Sequence, residues 1–193
     1  MRKLQAHALC FAAPLLVSCA APTPIRAESP TVTAATETSG GQHDFDFMHG
    51  TFKIRIRRLR HPLQGSNDWY EMTGTTVCRP LLNGTGNIEE GELDGPDGRM
   101  IAIMVRLYSP KSHEWSLNWT VEGRGRFDVP TVGTFKDGRG EFYDQEVFEG
   151  RTILVRYVWS DTATPTPHFE QSFSADGGKT WELNWASWST RVK

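Results

Sequence analysis

The last quarter of the chain contains two successive β-hairpins, and these constrain the fold more than any other feature. In the first, apolar and polar residues alternate on both sides of the two-residue turn Glu149–Gly150, as expected for half-buried antiparallel strands. This turn sets Asp144 opposite Val155 and Glu146 opposite Ile153. Two carboxylates are therefore predicted to share one face of the hairpin with apolar and aromatic side chains.

The second hairpin is predicted from residues 168–188. Setting Phe173 opposite Trp181 brings the remaining large side chains and one amide onto a common face, and a one-residue slip would scatter them. The residues on that face are Phe169, Gln171, Leu183 and Trp185.

From residue 43 onward, short runs rich in aromatic and β-branched residues alternate with clusters of Gly, Asn, Asp and Pro. Such runs predict strands and turns, as do the seven Trp, ten Phe and eighteen Gly of the chain. No stretch after residue 42 shows the 3.6-residue apolar period of a helix. Because the connections are too short for crossover helices, neighbouring strands are expected to be antiparallel.

The predicted fold class is all-β, an antiparallel meander barrel of about nine or ten strands formed by residues 43–193. A sandwich with an aliphatic core would contain more Val, Ile and Leu. Glycine-interrupted strands with polar and aromatic inward positions favour a barrel that encloses a cavity. In the strand 69–80, Gly74 predicts a bulge or bend.

The start of the chain predicts export. Residues 1–18 combine a positively charged start with an apolar run too short to span a bilayer. The run ends in Leu16-Val17-Ser18-Cys19, which resembles a bacterial lipobox and implies lipidation of Cys19. The alternative is an ordinary secretory signal cleaved after a small residue. Residues 19–42, rich in Ala, Thr and Pro, are predicted to be a flexible tether. The expected location is the bacterial cell envelope, on the periplasmic face of a membrane if lipidated and otherwise periplasmic or secreted.

Charge and cysteine content narrow the function classes. A net charge of −2 argues against a nucleic-acid partner. Cys78 is the single cysteine left in the predicted domain, so it is expected to be a buried, inert thiol and not part of a disulfide.

The segment 43–52 contains two His and two Asp, but their spacing does not suit zinc. We expect its Phe residues to plug a barrel end, with the Asp residues capping backbone amides.

Several sequence segments resemble a group of bacterial proteins built on a domain of unknown function. They are His43–Phe47, Arg106–Tyr108, Trp115–Asn118, Gly140–Glu146 and Phe169–Ser174. The resemblance implies a lipocalin-like (calycin) barrel with a possible interior pocket, and it implies no activity.

A separate segment, Ser174–Trp181, resembles the Asp-box of sialidase propellers. A propeller would need several copies at a regular period. A single copy predicts a hairpin turn in which the Asp side chain caps backbone amides.

The inward faces supply the candidate ligand-binding residues. Aromatic walls and a few polar groups among them would hold and orient a small molecule; an internal polar network that only satisfies itself would leave the same sequence. The candidates are Arg106, Tyr108, Trp115, Trp119, Asp144, Glu146, Arg156, Tyr157, Trp159, Phe169, Gln171 and Trp185. Arg58 and Arg106 are the predicted partners of the two acids. No cofactor or metal is predicted, because no His is singled out as an axial or metal ligand.

Three functions are compatible with this pattern. The first is a non-enzymatic barrel that binds a small apolar or amphipathic molecule. The second is an enzyme that acts on such a molecule, with Asp144 and Glu146 as acid and base. The third is a structural envelope lipoprotein with a filled barrel. A solid interior would exclude the first two functions, whereas an open cavity with an unpaired carboxylate of raised pKa favours the second.

Overall fold

The structure, a computed structural model, describes residues 40–192. A short 3₁₀ helix, Asp46–Met48, precedes ten strands, and a second 3₁₀ turn, Leu82–Gly84, joins β2 to β3. The strands are β1 (Gly50–Leu59), β2 (Trp69–Leu81), β3 (Gly86–Gly95), β4 (Gly98–Ser109), β5 (Glu114–Val121), β6 (Thr131–Lys136), β7 (Arg139–Phe148), β8 (Arg151–Ser160), β9 (His168–Ser174) and β10 (Glu182–Arg191).

The strands form a closed antiparallel barrel in which each strand pairs with its neighbours in sequence. β1 and β10 complete the closure, in a register that runs from Phe52 opposite Arg191 to Arg58 opposite Trp185. This arrangement confirms the all-β, lipocalin-like meander barrel. Closure removes the exposed edges that an open sheet of this size would present.

One end of the barrel is plugged by the segment that precedes β1. Phe45 and Met48 are fully buried, and the Phe45 ring packs against those of Trp115, Phe142 and other residues at this end. The prediction of an aromatic plug is confirmed. The predicted capping by Asp is wrong for the 3₁₀ helix, which has no side-chain cap. Instead, Asp46 accepts a hydrogen bond from His43 at 2.9 Å.

Gly74 does not mark a bulge, because the pairing of β2 with β1 and β3 continues through it without a shift. A Cβ at this position would lie 1.9 Å from the Glu92 carbonyl oxygen. The glycine is thus required by the close approach of two backbones.

The register of the first hairpin is confirmed, with Asp144 opposite Val155 and Glu146 opposite Ile153. In the second hairpin the predicted register is wrong: Phe173 lies opposite Glu182, and a bulge between Leu183 and Trp185 shifts the pairing.

The shift caused by this bulge decides which side chains of β10 face inward. It carries Trp185 to the interior, opposite Gln171. Leu183, predicted to share their face, is instead exposed. The extra residue therefore preserves the predicted placement of Gln171 and Trp185 but not that of Leu183.

The Asp-box-like segment forms the predicted turn. The Asp176 carboxylate accepts hydrogen bonds from the backbone amides of Lys179 and Thr180, both at 3.0 Å. Gly177 has a φ of 74°, and the Trp181 indole donates to the Gly178 carbonyl. These bonds hold the pKa of Asp176 below its usual range, the amide and hydroxyl of Thr180 contributing most. The motif is structural in this chain.

Residues 1–18, Cys19 and most of the tether lie outside the described residues. The last part of the predicted tether contacts the barrel: the Gly41 carbonyl accepts a hydrogen bond from the Trp115 indole at 2.9 Å. The folded domain therefore begins by Gly40. Within residues 40–192 no helix is long and apolar enough to cross a membrane.

Candidate functional site

The barrel interior contains a cavity of about 480 Å³, and the sheet that surrounds it has a gap beside β7. β6 is short and pairs with β7 only as far as Val132 opposite Tyr143. The following part of β7, Asp144–Phe148, therefore lacks a β6 partner, and residues of the loop 122–130 line the cavity there. This opening, which we call the mouth, places two carboxylates where the barrel wall is incomplete.

Nine of the predicted pocket residues line this cavity. They reach it because each occupies an inward position of its strand. They are Arg106, Trp119, Asp144, Glu146, Tyr157, Trp159, Phe169, Gln171 and Trp185.

Three predicted pocket residues do not line the cavity. Tyr108 and Trp115 face inward, but they are packed into the core at the plugged end, where the Tyr108 hydroxyl lies 3.2 Å from His113 Nδ1. Arg156 alternates to the outside, because its neighbour Tyr157 faces in, and its guanidinium lies 4.6 Å from the Trp181 ring centroid. Burial alone does not make an inward residue part of the pocket.

Aromatic rings form much of the apolar wall. Tyr157 and Phe169 meet edge to face with centroids 5.1 Å apart, and Trp119 and Trp185 meet edge to face at 6.2 Å. Such pairs stabilise the packed arrangement by about 0.5–1.5 kcal/mol beyond the burial of their area. The wall therefore offers preformed ring faces and edges to a guest.

Arg106 does not pair with either acid at the mouth, contrary to the prediction. Its side chain is 1 % exposed and forms an ion pair with Glu89, while its Nη1 donates to Asn87 Oδ1 at 2.9 Å. The guanidinium also lies 5.0 Å from the Phe45 ring centroid. Because this charge is already compensated, its main role is to tie β3 and β4 to the plug.

Arg58, the other predicted partner, is exposed, with its guanidinium 5.0 Å from the Trp185 ring centroid. It forms no ion pair with a carboxylate of residues 40–192 within 4.0 Å. Both predicted pairings are therefore wrong, because the sequence does not show which acid of a neighbouring strand is nearest.

Asp144 is left without a partner. Its Oδ1 is shielded from solvent and makes no hydrogen bond within the described residues. Burial, followed by the nearby charges of Glu146 and Asp128, raises the pKa of Asp144 to about 7. Burial and then Asp128 also raise the pKa of Glu146, which Arg124 partly opposes. Near neutral pH, Asp144 is thus able to hold or release a proton.

The loop 122–130 adds residues that sequence reasoning missed. Arg124 and Asp128 form an ion pair with each other, and both line the cavity together with Val129. The Asp128 amide donates to the Trp119 carbonyl at 2.9 Å, which holds this part of the loop against β5. Because loops have no periodic pattern, the sequence does not show which of their side chains face the interior.

Cys78 is buried and lies outside the cavity lining. Burial raises the pKa of its thiol to about 11, so it is a poor nucleophile, as expected. Across residues 40–192 no group of three or more His, Cys, Asp or Glu side chains is placed to hold a metal ion.

Comparison with known proteins supports the fold alone. No family model matches this sequence, and no curated protein is detectably similar to it. Among solved structures, the chain is similar to the S-type phycobiliprotein lyase CPES from Guillardia theta. The TM-score is 0.50 at 13 % sequence identity, over 77 % of this chain and 90 % of that one. This chain shares its β-barrel architecture with that lyase.

Proposed function

We propose that this protein is an exported, lipid-anchored barrel that binds a small apolar or amphipathic molecule in its interior. The observation that carries the proposal is the cavity itself: about 480 Å³, open at the mouth, with aromatic walls and a few polar groups. This volume falls within the range of about 300–1,000 Å³ common for small-molecule sites. A filled structural barrel would have no such interior.

The structural neighbour supports the barrel fold. It is a phycobiliprotein lyase, so the same architecture occurs in a protein of that name. At this sequence identity the similarity does not transfer a substrate. The proposal therefore depends on the cavity of this chain.

The export part of the proposal depends on residues 1–18 and Cys19. Palmitate labelling of the full chain in a bacterial host, with Cys19→Ala as the control, tests the anchor. Label on the wild type and none on the variant is the expected result. Label that persists in Cys19→Ala would refute lipidation at this residue.

Ligand binding is tested first by native mass spectrometry of the protein extracted gently from its host. A stoichiometric small-molecule adduct is expected. Titration of the purified protein with an apolar fluorescent probe provides a second measurement, because Trp119 and Trp185 line the cavity and report occupancy.

A variant that fills the cavity gives a further test of binding, and a variant at an exposed position is its control. Ala102 is buried in the cavity lining, so Ala102→Leu adds volume inside the cavity. We expect it to weaken probe binding about tenfold, or about 1.4 kcal/mol. Thr152→Leu adds a similar side chain at an exposed position and should leave binding unchanged. Equal affinities in the two variants, or no adduct and no probe binding, would count against the proposal.

A second candidate function is acid–base catalysis on the bound molecule, favoured by the unpaired Asp144 with its pKa near 7. A carboxyl group poised near the working pH can donate or accept a proton, with Glu146 two residues away on the same strand face. Incubation with amphiphiles from the host, followed by mass spectrometry, would detect turnover. Asp144→Asn should then reduce the rate about 100-fold or more while binding remains. Binding without turnover would leave the carrier function alone.

A further inference from the structure

The charges in the cavity lining are unevenly compensated. Arg106 is paired with Glu89, and Arg124 is paired with Asp128. Asp144 and Glu146 form no ion pair with any basic side chain within residues 40–192, although both are partly buried. Burying carboxylates without a partner is costly. The cavity therefore lacks a positive charge at one defined place, beside the mouth.

The remaining cation of the lining does not fill that place. Arg58 is exposed and stacks on Trp185, so water compensates its charge. Asp128 lies close enough to raise the pKa of both acids even though it is paired with Arg124. The electrostatic potential near Asp144 and Glu146 is consequently negative.

Aromatic side chains line the same space. Tyr157, on the strand next to β7, is close enough to both acids that, after burial, their charges raise its pKa further. The π faces of Tyr and Trp attract cations, and this attraction is strongest where water is excluded. Phe169 packs on Tyr157, and Trp119 packs on Trp185. Carboxylates and rings together form a site suited to an organic cation.

Two further side chains of the lining have unused hydrogen-bonding capacity. Trp159 is 5 % exposed and Thr76 is 4 % exposed, and both belong to the cavity wall. The Trp159 Nε1 and the Thr76 Oγ1 have no hydrogen-bond partner among the described residues. Buried polar groups are normally paired. A polar group on a ligand in the cavity would be able to pair with these two atoms.

We propose that the ligand is an amphipathic cation, whose positively charged nitrogen lies between Asp144, Glu146 and Tyr157 and whose apolar part extends along the aromatic wall. This inference rests on the proposed binding function and specifies the chemistry of the ligand. A cation at this place compensates both acids. A fatty-acid carboxylate there would add a third like charge, so an anionic amphiphile is disfavoured.

Cation binding and proton binding compete at this site. Because Asp144 has a pKa of about 7, a bound cation lowers it and drives release of a proton near neutral pH. The other titratable or charged groups that line the cavity are Glu146 on β7, Tyr157 on β8, Arg124 and Asp128 in the loop 122–130, Arg58 on β1, Glu89 on β3 and Arg106 on β4.

The test uses three probes with the same apolar chain: decyltrimethylammonium, the neutral decanol and the anionic decanoate. Affinities for the full-length protein are measured by Trp fluorescence and calorimetry at pH 8, where Asp144 is mainly ionised. We expect the ammonium to bind about tenfold tighter than decanol, and decanoate to bind most weakly. In Asp144→Asn/Glu146→Gln the preference for the ammonium should disappear while the affinity for decanol changes less than about threefold. Glu90→Gln, an exposed carboxylate on β3, is the matched control and should behave as the wild type.

A measurement on the wild type alone tests the cation proposal even if the double variant does not fold. In calorimetry at pH 7 in buffers of different ionisation enthalpy, the ammonium should release protons and decanol should not. The preference for the ammonium should also shrink at pH 5.

The outcomes separate the two proposals. Equal binding of ammonium and decanol, tighter binding of decanoate, or a preference that persists in the double variant would overturn the cation proposal and leave the binding function intact. If none of the three probes binds, the binding function fails as well.

Discussion

The plugged end of the barrel and the mouth are built from the same alternating strands, yet they treat polar groups in opposite ways. At the plugged end Arg106 is the buried charge, and Glu89, Asn87 and aromatic rings surround it. At the mouth Asp144 and Glu146 have no cationic partner within the described residues. The first arrangement stabilises the fold, whereas the second leaves interaction capacity for a guest.

The difference follows from strand length. At the plugged end β6 is paired on both sides and the segment before β1 fills the barrel. Toward the mouth β6 is missing because it begins only at Thr131, so the second half of β7 lies beside the loop 122–130. The comparison suggests that stability is concentrated at one end and binding at the other, which substitutions at the two ends can test.

The largest effect is expected for Phe45→Ala at the plugged end. Phe45 is fully buried among aromatic rings, and removing such a side chain costs about 3–5 kcal/mol. Urea denaturation of the full-length protein measures the loss. A change below about 1 kcal/mol would mean that the plug is not part of the stable core.

Glu89→Gln should have the next largest effect, about 3 kcal/mol of destabilisation, because it leaves the buried Arg106 without its counter-charge. The double variant Glu89→Leu/Arg106→Met removes both charges and should be more stable than Glu89→Gln. If the double variant is the less stable of the two, the pair contributes more than mutual compensation.

Asp144→Asn at the mouth should have a smaller effect of opposite sign. The folded protein holds a proton on Asp144 more tightly than the unfolded chain does, since its pKa rises from 3.8 to about 7. Stability therefore falls as the pH rises through this window and stays low above it. At pH 8 the variant should be more stable by about 1–2 kcal/mol, allowing for partial solvent screening.

At pH 4 to 5, where Asp144 is protonated, the two proteins should differ little in stability. Thermal unfolding at both pH values measures this dependence. A variant that is destabilised equally at both would show that Asp144 is needed as an ordinary structural residue. If Asp144→Asn lowered the stability of the protein, the proposed difference between a stabilising plugged end and a binding mouth would be contradicted.

Much of this architecture could be predicted from the residues. The two-residue turn at Glu149–Gly150 leaves one sensible register, so the shared face of Asp144 and Glu146 was found correctly. The second hairpin was harder, because a bulge inserts one residue without changing the composition of the strand. Pattern reasoning located the inward Gln171 and Trp185 but placed Leu183 on the wrong face.

The partners of the charged residues could not be predicted in the same way. Arg106 lies on β4 and Glu89 on the neighbouring β3, where two consecutive glutamates, Glu89 and Glu90, left the inward one undefined. Arg124 and Asp128 lie in a loop, where no sequence periodicity predicts which side chains face the barrel interior. Alternation predicts which face a side chain occupies; it does not predict which neighbour it meets.

The pairing of β1 with β10 also has a consequence for how the chain folds. Among the described strands, every other pairing joins neighbours in sequence, so those hairpins form with small loop-closure entropy. The last pairing brings together the two ends of the domain and cannot form until the final strand has been synthesised. Folding is therefore expected to proceed through local hairpins to a slow closing step. The interior cavity is therefore formed only when β10 has paired with β1.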